Sequence, residues 1–279
     1  MIVWRDGELV EAGGALSAAD RGFLIGDGVF ETLLVENGRP AFLGAHLARL
    51  RRGAAALEMD ADLDEADLRR AFRDLAARIG GAGRAAGRIT LSRVGGARGL
   101  LASPDARTQK LVTLAPLRAP PRDVRAVIAE GRRFSGAPTN GFKCVGAYAA
   151  NMLARMEAAR AGAGEAIMLN ELGRVACASA ANLFLIDGEA LVTPPESEGA
   201  MPGVTRALLI ALAQELGVEV QIRPIEASSL TGASLLFTNC LIGVAPGRIG
   251  DSRPQSDLAM RLGAAYEEMV KSEFSEPAP

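Results

Sequence analysis

A stiff stretch near the middle of the chain, Ala115-Pro116-Leu117-Arg118-Ala119-Pro120-Pro121, constrains the fold more than any other feature. Its prolines fix φ and remove backbone donors, so neither a helix nor a sheet is expected to run through it. The chain has 279 residues, about twice the usual domain length. Two domains are therefore expected: a smaller one over 1–114, a linker over 115–122 and a larger one over 123–279.

Each side of the linker mixes helices and strands. Leu43 to Leu57 has helical character. From Asp64 to Ile79 the signal is clearer, because Leu68, Phe72, Leu75 and Ile79 recur at helical spacing before Gly80-Gly81. Arg88 to Val94 and Lys110 to Leu114 read as strands. After the linker come a helix over Tyr148 to Ala161 and a strand over Ala166 to Leu169. A hairpin follows, Asn182 to Ile186 returning as Glu189 to Val192 around Asp187-Gly188. Val204 to Leu216 is a helix between Pro202-Gly203 and Gly217. Strands over Val218 to Arg223 and Leu235 to Thr238 precede a last helix from Asp257 to about Val270. No repeat and no regular βαβ alternation is present, so the class is mixed, α+β.

Composition narrows the chemistry. Hydrophobic residues make up 49% and charged residues 23%, enough to bury a core and to exclude a disordered or collagen-like chain. Against 31 basic residues stand 33 acidic ones, so no nucleic-acid partner is implied. The single histidine, His46, excludes histidine-based metal clusters and argues against histidine-dependent triads. Cys144, Cys177 and Cys240 are too few and too far apart for a disulfide framework or a zinc site, so no metal is expected. Arg5, Asp6 and Glu8 interrupt the start, and polar residues interrupt Ala227 to Gly247, so neither a signal peptide nor a membrane span is read. A cytoplasmic enzyme is expected.

Two local features carry chemistry. In Pro202-Gly203-Val204-Thr205-Arg206 a glycine turn opens a helix, whose first amides have no intrahelical acceptor and suit an anion. Lys143, between Phe142 and Cys144, either snorkels or sits in a partly desolvated site where a neutral amine can form a Schiff base. Gly81 to Gly87 has the wrong spacing for a phosphate loop and reads as a helix exit. The acidic run Asp60 to Asp67 reads as a solvated helix start.

Several motifs occur in order: Asp20-Arg21-Gly22, Gly26-Asp27-Gly28-Val29-Phe30-Glu31-Thr32, His46-Leu47-Ala48-Arg49-Leu50, Lys143 with its following helix, Asn182-Leu183-Phe184, Thr193-Pro194-Pro195 and Pro202-Gly203-Val204-Thr205-Arg206. Together, over about Asp20 to Pro246, they resemble the class IV aminotransferases. These are fold type IV enzymes dependent on pyridoxal 5'-phosphate, and they include branched-chain and D-amino-acid aminotransferases and aminodeoxychorismate lyase. The resemblance implies a two-domain, D-amino-acid-aminotransferase-like fold and makes Lys143 the Schiff-base lysine. It makes Arg49 the phosphate arginine, Val204 and Thr205 the phosphate cradle, and Tyr148 the partner of the cofactor's phenolic oxygen. Asn239 and Cys240 fall beside the phosphate, and Phe30 in the substrate site. His46 becomes structural. Thr32 matches a threonine given a catalytic part in the lyases. Arg98, with Arg93 second, matches the loop arginine offered to a substrate carboxylate. That loop often reaches a neighbouring subunit, so a homodimer is implied.

Two positions depart from the pattern. Cys177 stands where the family carries the glutamate that pairs with the pyridine nitrogen, and Cys240 stands where relatives have Ser or Thr. A thiol is a weak, mostly neutral partner. The expected activity is amino transfer between an amino-acid-like substrate and a 2-oxo acid. The alternatives are aminodeoxychorismate lyase, releasing pyruvate to give 4-aminobenzoate, and a catalytically impaired cofactor-binding paralogue.

Overall fold

The computed structural model describes residues 1–80, 83–95, 99–119, 121, 123–250 and 256–275. The chain divides into two compact units. One comprises Met1–Arg118, Phe142–Ala147 and Glu273–Pro279, and the other Ala119–Gly141 and Tyr148–Ser272. This division places Lys143 with the N-terminal unit rather than with the expected 123–279 domain. Backbone pairing is the reason: the Phe30 amide donates to the Lys143 carbonyl at 2.9 Å, and Cys144 bridges Val29.

The first unit runs β1 (Ile2–Arg5), β2 (Glu8–Glu11), α1 (Arg21–Ile25), β3 (Gly28–Glu36), β4 (Arg39–Pro40), α2 (Leu43–Ala56), α3 (Glu65–Arg78), β5 (Arg84–Val94) and β6 (Arg107–Pro116). Its antiparallel sheet has the order β2-β1-β6-β5-β3-β4. Asp64 starts α3 by accepting the Asp67 amide at 3.0 Å, as the acidic run suggested. Leu68, Phe72 and Leu75 of α3 join Leu43, Leu47 and Leu50 of α2 against Val29, Leu33, Ile89 and Val112 of the sheet. Ile79 lies past the helix and is exposed, so the apolar stripe is one residue shorter than its spacing implied. Contrary to expectation, β6 continues through Ala115 and Pro116. These pair with Ala86 and Ala85 of β5, while β1 pairs β6 only at Leu111 and Val112. Proline is tolerated there because only one side of the strand is bonded.

The second unit contains β7 (Val124–Arg133), α4 (Ala149–Arg160), β8 (Glu165–Asn170), β9 (Val175–Ala178), β10 (Asn182–Asp187), β11 (Ala190–Thr193), α5 (Val204–Glu215), β12 (Val220–Ile222), β13 (Ser234–Asn239), β14 (Gly243–Ile249) and, up to Ser272, α6 (Asp257–Ser275). The mixed sheet has the order β12-β11-β10-β13-β14-β7-β8-β9. One face buries Ile167, Leu183, Val192, Leu235 and Phe237. On the other, Leu209 of α5 and Leu258 and Leu262 of α6 cover Phe184, Leu191 and Leu236. Ala154 and Ala158 of α4 pack on Ala129, Ala166, Met168 and Cys177, and all but Met168 are small side chains that let the helix approach closely.

Candidate active site

The first unit builds a cluster of cations around one aromatic ring. Side chains alternate along β3, so with Val29, Leu33 and Val35 in the helix-covered core, Phe30 and Thr32 point to the other face. Register pairs Phe30 with Thr90 and Thr32 with Arg88, which puts those four residues on that face. The Arg88 guanidinium stacks 3.6 Å from the centre of the Phe30 ring, and its Nε donates to Thr90 Oγ1 at 3.0 Å. Lys143 Nζ lies 5.4 Å from the same ring centre. A flat cation and an amine thus share one π-system, an attraction that orients both.

On the helix-covered side of β3, Glu31 is fully buried. Arg49 donates to it twice, Nε to Oε1 at 2.6 Å and Nη2 to Oε2 at 2.7 Å. His46 Nδ1 lies 2.8 Å from Oε2. Burial pushes the Glu31 carboxyl up, but the hydrogen bonds and charges of Arg49 and His46 outweigh it and hold the group at about 2. One edge of Arg49 is therefore committed to Glu31, and His46 has a structural partner.

Arg93 sits in a separate network. It contacts Asp27 at 3.3 Å and donates to the Leu57 carbonyl. Arg21 also pairs with Asp27, at 2.7 Å, and holds the Gly99 and Leu100 carbonyls at 2.9 Å each. Arg93 is thus tied to the protein's own backbone, while Arg98 lies outside the described residues.

In the second unit the start of α5 is seated by the residues of its own motifs. Arg206 donates to Thr193 Oγ1 at 3.3 Å and to the Pro194 carbonyl at 3.0 Å. Asn182 Nδ2 holds the Met201 carbonyl at 2.8 Å. Gly203 precedes the helix, and a Cβ there would fall 2.0 Å from Asn182 Oδ1, so a side chain at 203 would displace the Asn182 amide from its seat. Val204 and Thr205 follow, with Thr205 buried. Thr238 pairs with Asn182 across β10 and β13, and its Oγ1 is buried with no hydrogen-bond partner among the described residues. Asn239 turns the chain after it, accepting the Leu241 and Ile242 amides at 2.9 Å each and so fixing the backbone around Cys240. Tyr148 stands at the N-terminus of α4, partly buried.

The family model for amino-transferase class IV matches residues 28–249. The chain belongs to the class IV aminotransferases. It is 27% identical over 280 residues to a putative branched-chain-amino-acid aminotransferase of Methanocaldococcus jannaschii, with 96% of each chain covered. Its fold is similar to the crystal structure of a branched-chain aminotransferase from Thermoproteus uzoniensis with norvaline. That likeness has a TM-score of 0.90 and 25% identity, and covers 99% of this chain and 96% of that one. It is also similar to a T.th. branched-chain amino acid aminotransferase crystallised with pyridoxamine 5'-phosphate. There the TM-score is 0.85 and the identity 26%, with 98% of this chain and 95% of that one covered.

The fold is therefore the fold type IV architecture expected from the motifs, and this class IV aminotransferase is a pyridoxal-phosphate enzyme. The residues present fit the cofactor's phosphate, because the buried Thr238 hydroxyl, unpartnered among the described residues, stands on the same face as Asn182, whose amide packs against Gly203 at the helix start. No helix among the described residues is long and apolar enough to cross a membrane.

Cys177 fits less well as a partner for the pyridine nitrogen. It is buried in the alanine-rich layer under α4. Burial pushes its thiol up, Arg133 pulls it down and Glu165 adds to the rise, so the sulfur is protonated at neutral pH. Sequence reasoning assigns no role to Glu31, Arg88 or Thr238. Alternation along β5 is the one available signal for Arg88, and it reads the same for any solvated strand arginine.

Proposed function

We propose that the chain transfers an amino group between an amino-acid-like substrate and a 2-oxo acid. The observation that carries this is the Phe30 ring, with the Lys143 amine on it at 5.4 Å and the Arg88 guanidinium at 3.6 Å. One ring thus brings together a group for carbonyl chemistry and a group for a carboxylate. Pyridoxal phosphate, when bound, supplies the electron-withdrawing ring that lets an amino acid's α-carbon give up its proton. Lys143 Nζ would be the amine that holds the cofactor's aldehyde carbon, and the base that would move the proton at the substrate's α-carbon. The α5 amides of Val204 and Thr205, the Thr238 hydroxyl, the backbone at Asn239 and Cys240 and the arginine Arg49, oriented by Glu31, hold the phosphate. Tyr148 binds the phenolic oxygen. Phe30 and Thr32 line the substrate side, with Arg88 reading the carboxylate. Arg98 is a second carboxylate partner. Arg93, already paired with Asp27 and the Leu57 carbonyl, ranks behind both as a carboxylate partner.

Cys177 favours a second reading. A neutral thiol stabilises a protonated pyridine poorly, so the chain can bind cofactor with little turnover. The experiment is a half-reaction with D- and L-amino acids, run beside a pyruvate-release assay on aminodeoxychorismate. Amino transfer that weakens roughly thirtyfold in KM for Arg88→Gln supports the proposal, since a charge-assisted bond contributes about 2 kcal/mol. Pyruvate release without an acceptor marks the lyase. Bound cofactor without either reaction marks the impaired paralogue.

We further propose a cytoplasmic homodimer. Phe23, Leu24, Leu100 and Leu101 in the first unit, and Met152, Leu153 and Met156 on α4 in the second, are exposed. Clusters of that kind are uncommon on monomers. Light scattering is expected to give twice the mass of one chain, and a monomer at micromolar concentration overturns the assignment.

A further inference from the structure

Lys143 is held by six residues, Phe142–Ala147, that are remote in sequence from the rest of the first unit. They lie on a narrow strip of backbone. Phe142 and Cys144 are buried in the core shared with Val29 and α2. The Lys143 carbonyl accepts the Phe30 amide at 2.9 Å. Beyond it the chain passes over the C-terminus of α1, where Gly26 adopts a left-handed φ of 72°.

At that crossing two backbones meet without side chains between them. A Cβ on Gly26 would fall 2.4 Å from the Gly146 Cα and 2.7 Å from its nitrogen. Those atoms are main chain, so no rotamer change relieves the overlap. The reverse is not true: a Cβ on Gly146 would meet Gly26 at 3.5 Å, an ordinary van der Waals distance, without the positive φ that disfavours a side chain. The contact is therefore asymmetric, and the absent side chain that matters is the one on Gly26.

We propose that Gly26 is a positioning residue for Lys143: its missing Cβ lets the 142–147 segment close on α1 and so sets where the lysine amine stands on the Phe30 ring. The proposal rests on the reading of Lys143 as the cofactor amine. Bringing an alanine Cβ at position 26 to ordinary contact requires the segment to move by roughly an ångström, a displacement of the size that costs about a hundredfold when a reacting group is misplaced.

The test measures how fast Lys143 captures pyridoxal phosphate, apart from any turnover. The purified protein is mixed with the aldehyde, and the Lys143 nitrogen bonds its carbon with loss of water. Borohydride then adds hydride to the C=N bond at timed intervals, and mass spectrometry of the Lys143 peptide counts the adduct. Gly26→Ala is expected to slow capture about a hundredfold, with Gly146→Ala unchanged. Gly7→Ala is the matched control, because Gly7 also has a positive φ, 105°, with nothing within 4 Å of its Cβ position. Its φ lies further from the left-handed region open to alanine than that of Gly26, so it carries at least the conformational cost of Gly26→Ala without the overlap, and it is expected to leave capture unchanged. If Gly26→Ala does not accumulate as folded protein, Gly146→Val crowds the same crossing from the other strand and is expected to slow capture at least tenfold. Capture in Gly26→Ala or Gly146→Val at the wild-type rate overturns the proposal, as does equal slowing in Gly7→Ala. Failure of the wild-type protein to capture at Lys143 instead overturns the reading of Lys143 itself.

Discussion

Lys143→Ala is expected to lower turnover roughly 10⁴-fold or more and to abolish covalent retention of pyridoxal phosphate. Losing the group that moves the α-proton costs about 10² to 10⁴, and losing the positioned amine removes an effective concentration no free amine matches. The fold should survive, because what ties residue 143 into the first unit is its backbone carbonyl on the Phe30 amide, which alanine keeps. The measurement pairs borohydride trapping and peptide mass with a thermal melt. Undiminished trapping at another lysine in a folded variant would falsify the assignment of Lys143. Exogenous small amines should restore part of the proton-transfer step, since they supply the missing base from solution.

Glu31→Gln is expected to destabilise the first unit by about 3–5 kcal/mol, the cost of leaving one partner of a buried pair unmatched. Arg49 and His46 both face Glu31 from α2, buried, and glutamine satisfies neither as an anion does. The wild-type pH dependence follows from the same group. Its carboxyl ionises at about 2 in the folded protein against an ordinary 4.5. Between these values the unfolded chain binds more protons than the folded one. The stability it contributes is thus complete above pH 4.5 and lost as the pH falls through 2. The difference corresponds to about 3 kcal/mol. Urea titrations from pH 7 to pH 2 should show that decline in the wild type and a flatter curve in Glu31→Gln. A variant as stable as the wild type at pH 7, with the same acid slope, removes the triad from the account of this fold. Arg49 should also lose its fixed orientation in the variant, so the affinity for inorganic phosphate falls alongside stability.

Particular elements show which parts of this fold were readable in one dimension. The α3 and α5 helices announce themselves through apolar periodicity bounded by Asp64 and by Pro202-Gly203, local signals that need no partner. The hairpin of β10 and β11 is local too, its turn set by Asp187-Gly188. By contrast β3, with the buried sequence Val29-Phe30-Glu31 and Leu33-Leu34-Val35, shows no clean alternation because both of its faces are covered. The four-residue β9 is too short for any period to appear. Strand β7 is joined in parallel to β14 and β8, and such pairing leaves no trace in neighbouring residues. The units change over at Arg118 and Ala119, inside the proline-rich stretch, yet the strand before it runs on to Pro116, because an edge position leaves a missing donor without consequence.

The family and its cofactor were determined by the amino-acid order alone, since ordered motifs such as Asn182-Leu183-Phe184 and Pro202-Gly203-Val204-Thr205-Arg206 are local chemistry repeated at short range. Tertiary structure alone decided that Lys143 belongs with the N-terminal unit, that Arg88 shares its aromatic ring, that Glu31 holds Arg49, and that Gly26 must lack a side chain. Each of those facts is a contact between residues far apart along the chain. Such contacts arise from the register of strands and the closure of backbone on backbone, and no periodicity within a single segment encodes them.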